Sequence, residues 1–330
     1  MIKTTVVGSY PVPNWLPIVS TRESLQDAML AVIKTQELAG IDVVADGELN
    51  RWDVNHAETN GMIDFFVKPM HGIQQRLTSN QLDTWRAIAG NQFRAMPPGI
   101  VTADLDGGML NLRGDYELFQ SLTERPTKFT VTSPYMLAKM LADAHYQDLE
   151  KLVMALADVL QKQLVGLGAD VIQVDEANVT GHPDDGPLAA AGINHVLQGV
   201  ATEKAVHLCF GNYGGQTIQT GEYEKLLDFL NLLECDHLVL EMARRPDTEL
   251  TLLQHVRKET GIGIGVIDIK DNEVESPEIV AQRIEQASNV LGAERIQYVH
   301  PDCGFWMLPR SVADAKMRSL VQGRDLFEGR

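Results

Sequence analysis

The fold is decided by Leu167-Gly168-Ala169-Asp170 and the run behind it, Val171-Ile172-Gln173-Val174-Asp175-Glu176. The first four residues read as a helix stop, with glycine supplying the left-handed close. The next six are a short, β-rich apolar run that ends in two carboxylates, which is a buried strand delivering polar groups at its tip. The same unit recurs along the chain. Strand runs are expected at Thr5–Ser9, Asp42–Glu48, Lys128–Ser133, Val171–Glu176, Ala205–Phe210, His237–Met242, Gly263–Ile269 and Ile296–Cys303. Helical periodicity follows most of them, at Ser24–Leu38, Tyr146–Leu167, Glu222–Leu233, Leu250–Thr260, Pro277–Leu291 and Ser311–Gln322. Strands alternating with helices imply a parallel sheet. Eight such strands suit an α/β fold of the (β/α)8 TIM-barrel type, with a doubly wound open sheet as the alternative, since pattern alone does not show closure.

The stretch between the second and third runs is too long for a single crossover. Residues 1–330 are therefore read as one barrel with an insertion after the second strand, at about 50–125. Within it, Phe93-Arg94-Ala95-Met96-Pro97-Pro98 and Ile100–Leu105 suggest a small hairpin near Asp106-Gly107-Gly108.

Composition narrows the function. The 330 residues carry 45 acidic and 28 basic side chains, a formal net charge of −17 that would repel nucleic acid or an anionic membrane. At 44% hydrophobic and 22% charged the chain is ordinary globular material. No apolar run approaches the ~20 residues of a membrane span. Three cysteines cannot build a disulfide framework. The expectation is a cytoplasmic protein whose cysteines are packing residues, metal ligands or nucleophiles.

In a barrel the site lies at the C-terminal ends of the strands. Those ends carry Ser9, Glu48, Ser133, Asp175 with Glu176, His207 with Cys209, Glu241, Asp268, and Asp302 with Cys303. Residues i and i+2 of a strand point the same way, so His207 and Cys209 project together. Taken alone, that pair fits a buried histidine beside a buried free cysteine better than it fits a metal site. Cys303 at the last strand end and Glu241 between them complete a set of two Cys, one His and one Glu, a plausible zinc site. Cys235, at the end of a helix, reads as a packed hydrophobe. Gly261-Ile262-Gly263-Ile264-Gly265 runs into a strand and opens no helix, so it is not a dinucleotide fingerprint.

These residues resemble the cobalamin-independent methionine synthases. The resemblance is carried by Thr4-Thr5-Val6-Val7-Gly8-Ser9-Tyr10-Pro11, Asp46-Gly47-Glu48, Ile172-Gln173-Val174-Asp175-Glu176, His207-Leu208-Cys209, Leu238-Val239-Leu240-Glu241 and Pro301-Asp302-Cys303-Gly304, in the family's order. It spans the chain and covers only the catalytic C-terminal barrel of the long two-barrel enzymes, a short "core" form. It implies zinc held by His207, Cys209, Glu241 and Cys303. It implies that backbone groups of Gly8 and Ser9 hold the homocysteine carboxylate, and that Glu48 and Asp175 bind its ammonium. The activity implied is zinc-dependent methyl transfer to the thiol of homocysteine, giving methionine. The alternatives are a zinc alkyltransferase acting on another small thiol, and a non-catalytic methyl-carrier-binding protein with structural zinc.

Departures from the family fall on the donor side. Lys270 stands where the long enzymes have a proton-donating histidine, with Asp268 beside it as a second catalytic candidate. Met140 falls at the folate-stacking tryptophan and Gly181 at a pterin-contacting glutamate. The expected donor is accordingly not polyglutamyl methyltetrahydrofolate; a methyl-corrinoid protein or another carrier needs no amine protonation. Asn50, Arg51, Trp52 and Trp85 are candidates for a different donor surface, with packing the alternative role for the tryptophans.

Overall fold

The computed structural model describes residues 1–19, 21–51, 61–87, 96–211 and 221–330. Its strands are β1 (Lys3–Thr4), β2 (His71–Gln74), β3 (Ile100–Asp106), β4 (Lys128–Thr132), β5 (Ala142–Asp143), β6 (Val171–Glu176), β7 (Glu203–Leu208), β8 (His237–Leu240), β9 (Gly261–Ile267) and β10 (Ile296–Pro301). Seven of them form one sheet in the order β1-β10-β9-β8-β7-β6-β4, and every pairing in it is parallel. The two open edges meet through an eighth stave. Thr5 bridges to Val43 and Val44 to Thr127, both parallel, and the Lys128 amide donates to the Val44 carbonyl at 2.8 Å. The sheet thus curls into the expected barrel. The second stave is held by bridges alone, which is why it is less regular than its neighbours.

Helices cover the outside and are punctuated as the sequence indicates. Thr21 caps Arg22–Ala39 through the Ser24 amide, and Gly40 closes that helix in the left-handed region at φ 88°. Asp148 caps Leu149–Leu164 and Ser276 caps Pro277–Leu291. Some expected helices are shorter than their periodicity, Tyr146–Leu167 among them. In place of Leu250–Thr260, an α-helix Asp247–Leu252 passes into a 3₁₀ turn, Leu253–His255. The Arg295 guanidinium takes the carbonyls of Val256, Arg257 and Thr260, which a continuing helix would need for itself. The expected helix Glu222–Leu233 likewise begins as a 3₁₀ turn, Tyr223–Leu226, before Leu227–Leu232.

The hairpin expected near Asp106-Gly107-Gly108 is not formed there. β3 pairs antiparallel with the upstream strand β2, His71 opposite Asp106 and Gln74 opposite Ile100, and β5 adds to its other side in parallel. The Asp-Gly-Gly turn leads into a helix, Leu112–Gln120, capped by Asn111. Asp106 Oδ1 accepts from the Gly108 amide at 2.8 Å, and a Cβ on Gly108 would lie 2.2 Å from the Pro69 carbonyl. The turn is therefore seated on the start of β2 and cannot send a strand back. Phe93, Arg94 and Ala95 lie outside the described residues.

The barrel interior is full, with β6 and β9 buried along their whole length. Gly265 in β9 makes room for a neighbour: a Cβ there would lie 2.2 Å from Asp302 Oδ1. The Gly-Ile-Gly-Ile-Gly pattern is thus a packing device of the barrel wall.

Candidate metal centre

His207 sits in β7 and Cys209 one residue beyond its end; Cys303 follows β10. Their ligand atoms all lie within 4.8 Å of one another. The Cys303 and Cys209 sulfurs are 3.9 Å apart. Two thiolates bound tetrahedrally at ~2.3 Å from one zinc ion would stand ~3.8 Å apart. His207 Nδ1 lies 2.9 Å from the Val239 carbonyl oxygen, which places the ring proton there and leaves Nε2 as a lone pair. Nε2 is buried and has no hydrogen-bond partner among the described residues. The hydrogen bond from Cys303 holds the Cys209 thiol well below its ordinary pKa. Two sulfurs at the separation of zinc-bound thiolates, the Cys209 thiol already held toward its anion, and an orphaned imidazole nitrogen are a donor set that fits zinc.

Glu241, beyond β8, lies next to this group but outside it. Its Oε1 receives Lys270 Nζ at 2.5 Å, and its Oε2 accepts from the Phe210 amide at 3.1 Å. Lys270 reaches it from the loop after β9. Asp268 serves that loop, accepting from the Lys270 amide at 2.8 Å while its own amide donates to Glu275. Asp302 turns inward to accept from the Met242 and Ala243 amides.

A second cluster lies alongside. Glu48 holds φ at 56°, a left-handed conformation that non-glycine residues adopt at a cost and that gathers at functional sites. Gly47 before it is also left-handed, and the Glu48 amide donates to Asp46 Oδ1 at 2.8 Å. The Glu48 carboxylate accepts from Thr130 Oγ1 at 2.8 Å and pairs with Arg51 at 3.2 Å. Asp175 accepts from Gln173 Nε2 at 2.7 Å. Burial pushes the Asp175 carboxyl up to about 7; the Glu48 charge adds to this, while His207, Gln173 and Arg51 oppose it. Gly8 brings the chain against Glu48, and Ser9 lies against Gly304, its carbonyl accepting from the Phe305 amide at 2.8 Å.

Arg51 is the residue whose place the sequence left open. It is buried at 3% exposure, donates to Thr130 and lies over the rings of Phe65 and Phe66. It is therefore a wall of the carboxylate cluster and not an exposed donor surface. Trp85 is buried too, its indole donating to the Met140 carbonyl at 3.1 Å, so it fastens the insertion to the barrel. Trp52 lies outside the described residues. Met140 is itself buried, and Gly181 ends a 3₁₀ turn.

Residues 2–324 match the family model described as the catalytic domain of the cobalamin-independent synthases. The chain belongs to that family. Among relatives of this synthase, the methionine synthase of Thermococcus kodakarensis is 29% identical over 342 residues, spanning 99% of this chain and 93% of the relative. That of Pyrococcus furiosus is 28% identical over 337 residues, spanning 98% and 91%. A B12-independent methionine synthase from Shewanella sp. W3-18-1, solved in complex with selenomethionine, superposes with a TM-score of 0.84. It has 24% identity and covers 100% of this chain and 98% of that one, a likeness of fold. Among the described residues, no helix is long and apolar enough to cross a membrane.

Proposed function

We propose that this synthase methylates the thiol of homocysteine to give methionine, as a single catalytic unit over residues 1–330. The observation that carries this is the convergence of His207, Cys209 and Cys303 beside the buried carboxylates Glu48 and Asp175. A thiol-binding centre and an ammonium-binding pair stand side by side, as an aminothiol requires. His207, Cys209 and Cys303 would hold zinc, with Glu241 as the exchangeable fourth ligand; bound zinc would supply a thiolate at neutral pH from a thiol of ordinary pKa ~8.5.

The chain's own groups do the rest. Glu48, fixed by Thr130 and Arg51, and Asp175, fixed by Gln173, receive the substrate ammonium. An ammonium between two buried carboxylates relieves the burial and mutual repulsion that raise Asp175. Backbone groups of Gly8 and Ser9 receive the carboxylate. A simple alkyl thiol or a thiol sulfonate would leave Glu48 and Asp175 unpaired, which favours homocysteine over other small thiols.

On the donor side, the Lys270 ammonium is committed to Glu241 and Met140 is buried. Both arrangements support a donor other than polyglutamyl methyltetrahydrofolate, such as a methyl-corrinoid or another carrier protein, in a cytoplasmic biosynthetic role. A donor panel tests this. Zinc-loaded protein and homocysteine are supplied with methylcobalamin, methyltetrahydrofolate or its polyglutamate, and methionine is measured. Methionine from methylcobalamin alone is expected; efficient turnover of either folate overturns the donor assignment. Zinc-edge X-ray absorption with and without homocysteine tests the centre itself, and an unchanged ligand set on adding substrate would count against catalysis there.

A further inference from the structure

The barrel encloses a lysine that no step above uses. Lys128 opens β4, is 1% exposed, and its Nζ donates to Gln173 Oε1 at 2.8 Å. Gln173 lies in β6, two residues before Asp175 and on the same face of the strand. Its amide nitrogen donates twice, to Asp175 Oδ1 at 2.7 Å and to the Val7 carbonyl at 2.9 Å. Gln173 itself is fully buried.

An amide side chain has one accepting end and one donating end. The Val7 carbonyl and the Asp175 carboxylate only accept, and a lysine nitrogen in this position donates. The three partners together therefore allow a single orientation of Gln173. Without Lys128 the amide loses the group that holds its oxygen inward. Its turning over would set that oxygen against Asp175, acceptor facing acceptor. Burying the Gln173 oxygen unpaired is the other outcome, and it carries a full desolvation cost.

We propose that Lys128 is a positioning residue for substrate selection: through Gln173 it fixes the Asp175 carboxylate that receives the amino group of homocysteine. This rests on the reading of Asp175 as the ammonium site. It assigns to a residue one layer beneath the site the discrimination between an aminothiol and a thiol that lacks the amine. Lys128 and Gln173 thereby do for Asp175 what Arg51 and Thr130 do for Glu48.

The test uses the cobalt-substituted protein, in which a thiolate bound to the metal gives a charge-transfer band that can be titrated. L-homocysteine is compared with 4-mercaptobutyrate, which has the same thiol and carboxylate and no amine. The variants are Lys128→Met and Gln173→Met, each checked for unchanged cobalt content. Each is expected to weaken homocysteine about tenfold, the scale of one hydrogen bond to a charged group, and to leave 4-mercaptobutyrate unchanged. A purely structural role would weaken both thiols alike, and that result overturns the proposal, as does no change in either. Should Lys128→Met fail to fold, Gln173→Met decides alone. A wild-type protein that binds the two thiols equally would refute the ammonium site itself, and the proposal with it.

Discussion

Lys270 Nζ lies 2.5 Å from Glu241 Oε1, and the two side chains are only 4% and 3% exposed. An ion pair so buried costs about 3–5 kcal/mol when one partner is removed, because the other is left uncompensated. Lys270→Met should therefore lower the unfolding temperature of the metal-free protein. Zinc offers the stranded carboxylate a new partner, so zinc should stabilise the variant more than it stabilises the wild type. Thermal unfolding with and without zinc measures both shifts. Equal zinc-induced shifts in the two proteins would mean that Glu241 does not reach the metal.

The three cysteines should divide cleanly. His207→Ala, Cys209→Ala and Cys303→Ala each remove a donor from a group whose ligand atoms lie within 4.8 Å. Each should lose zinc on dialysis against a weak chelator. Cys235→Ala should retain it, since burial pushes that thiol up to about 12 and the residue only packs against the core. Metal analysis after dialysis checks all four variants, and full zinc in the Cys303 variant would refute the ligand set.

Much of this was legible in the sequence, and the limits have physical causes. Val171–Glu176 is the strand that its apolar run indicates, residue for residue. His207 and Cys209 share a face because alternation along a strand is a fixed property of the backbone. Lys128 was hidden for the opposite reason. In β4 both faces are buried, so alternation does not tell barrel interior from helix-facing side. Arg51 falls in the insertion after the second strand run, one turn from Glu48, and only closure of the barrel brings Thr130 to it. The 2.5 Å pairing of Lys270 with Glu241 joins two loops 29 positions apart and has no local signature at all.

Acid stability should carry the mark of a histidine inside the barrel. Burial pushes His300 down to about 3, with Lys128 and His207 opposing its charge as well, against an ordinary value of 6.5. Between those two values the unfolded chain binds a proton that the folded protein does not. Stability from this group is thus fully present above pH ~6.5 and falls by ~1.4 kcal/mol per pH unit as the pH drops toward ~3. Buried carboxylates with raised values, such as Asp302 at about 7, act in the opposite sense, so a difference measurement is needed. The stability of His300→Leu minus that of wild type, followed by urea unfolding, should be flat above pH ~7 and rise in the variant's favour below it. A flat difference across about pH 4–7 would show that His300 titrates normally in the fold.

The contact between Gly8 and Glu48 yields the sharpest substitution. A Cβ on Gly8 would lie 2.2 Å from Glu48 Oε1 and 3.0 Å from Glu48 Cδ. Glu48 cannot swing aside easily, because Thr130 and Arg51 hold its carboxylate and its backbone is already left-handed. Gly8→Ala should therefore displace the carboxylate, cost ~1–3 kcal/mol of stability as overpacking does, and weaken homocysteine binding about tenfold, the loss of one charged hydrogen bond. Zinc content should not change, since the displaced group is not among His207, Cys209 and Cys303. Gly168→Ala is the control: its φ of 90° makes any side chain strained, but an added Cβ meets nothing within 4 Å. That variant should lose stability and keep its affinity for homocysteine. Titration calorimetry on both zinc-loaded variants makes the comparison, and equal affinities would remove Glu48 from the substrate site.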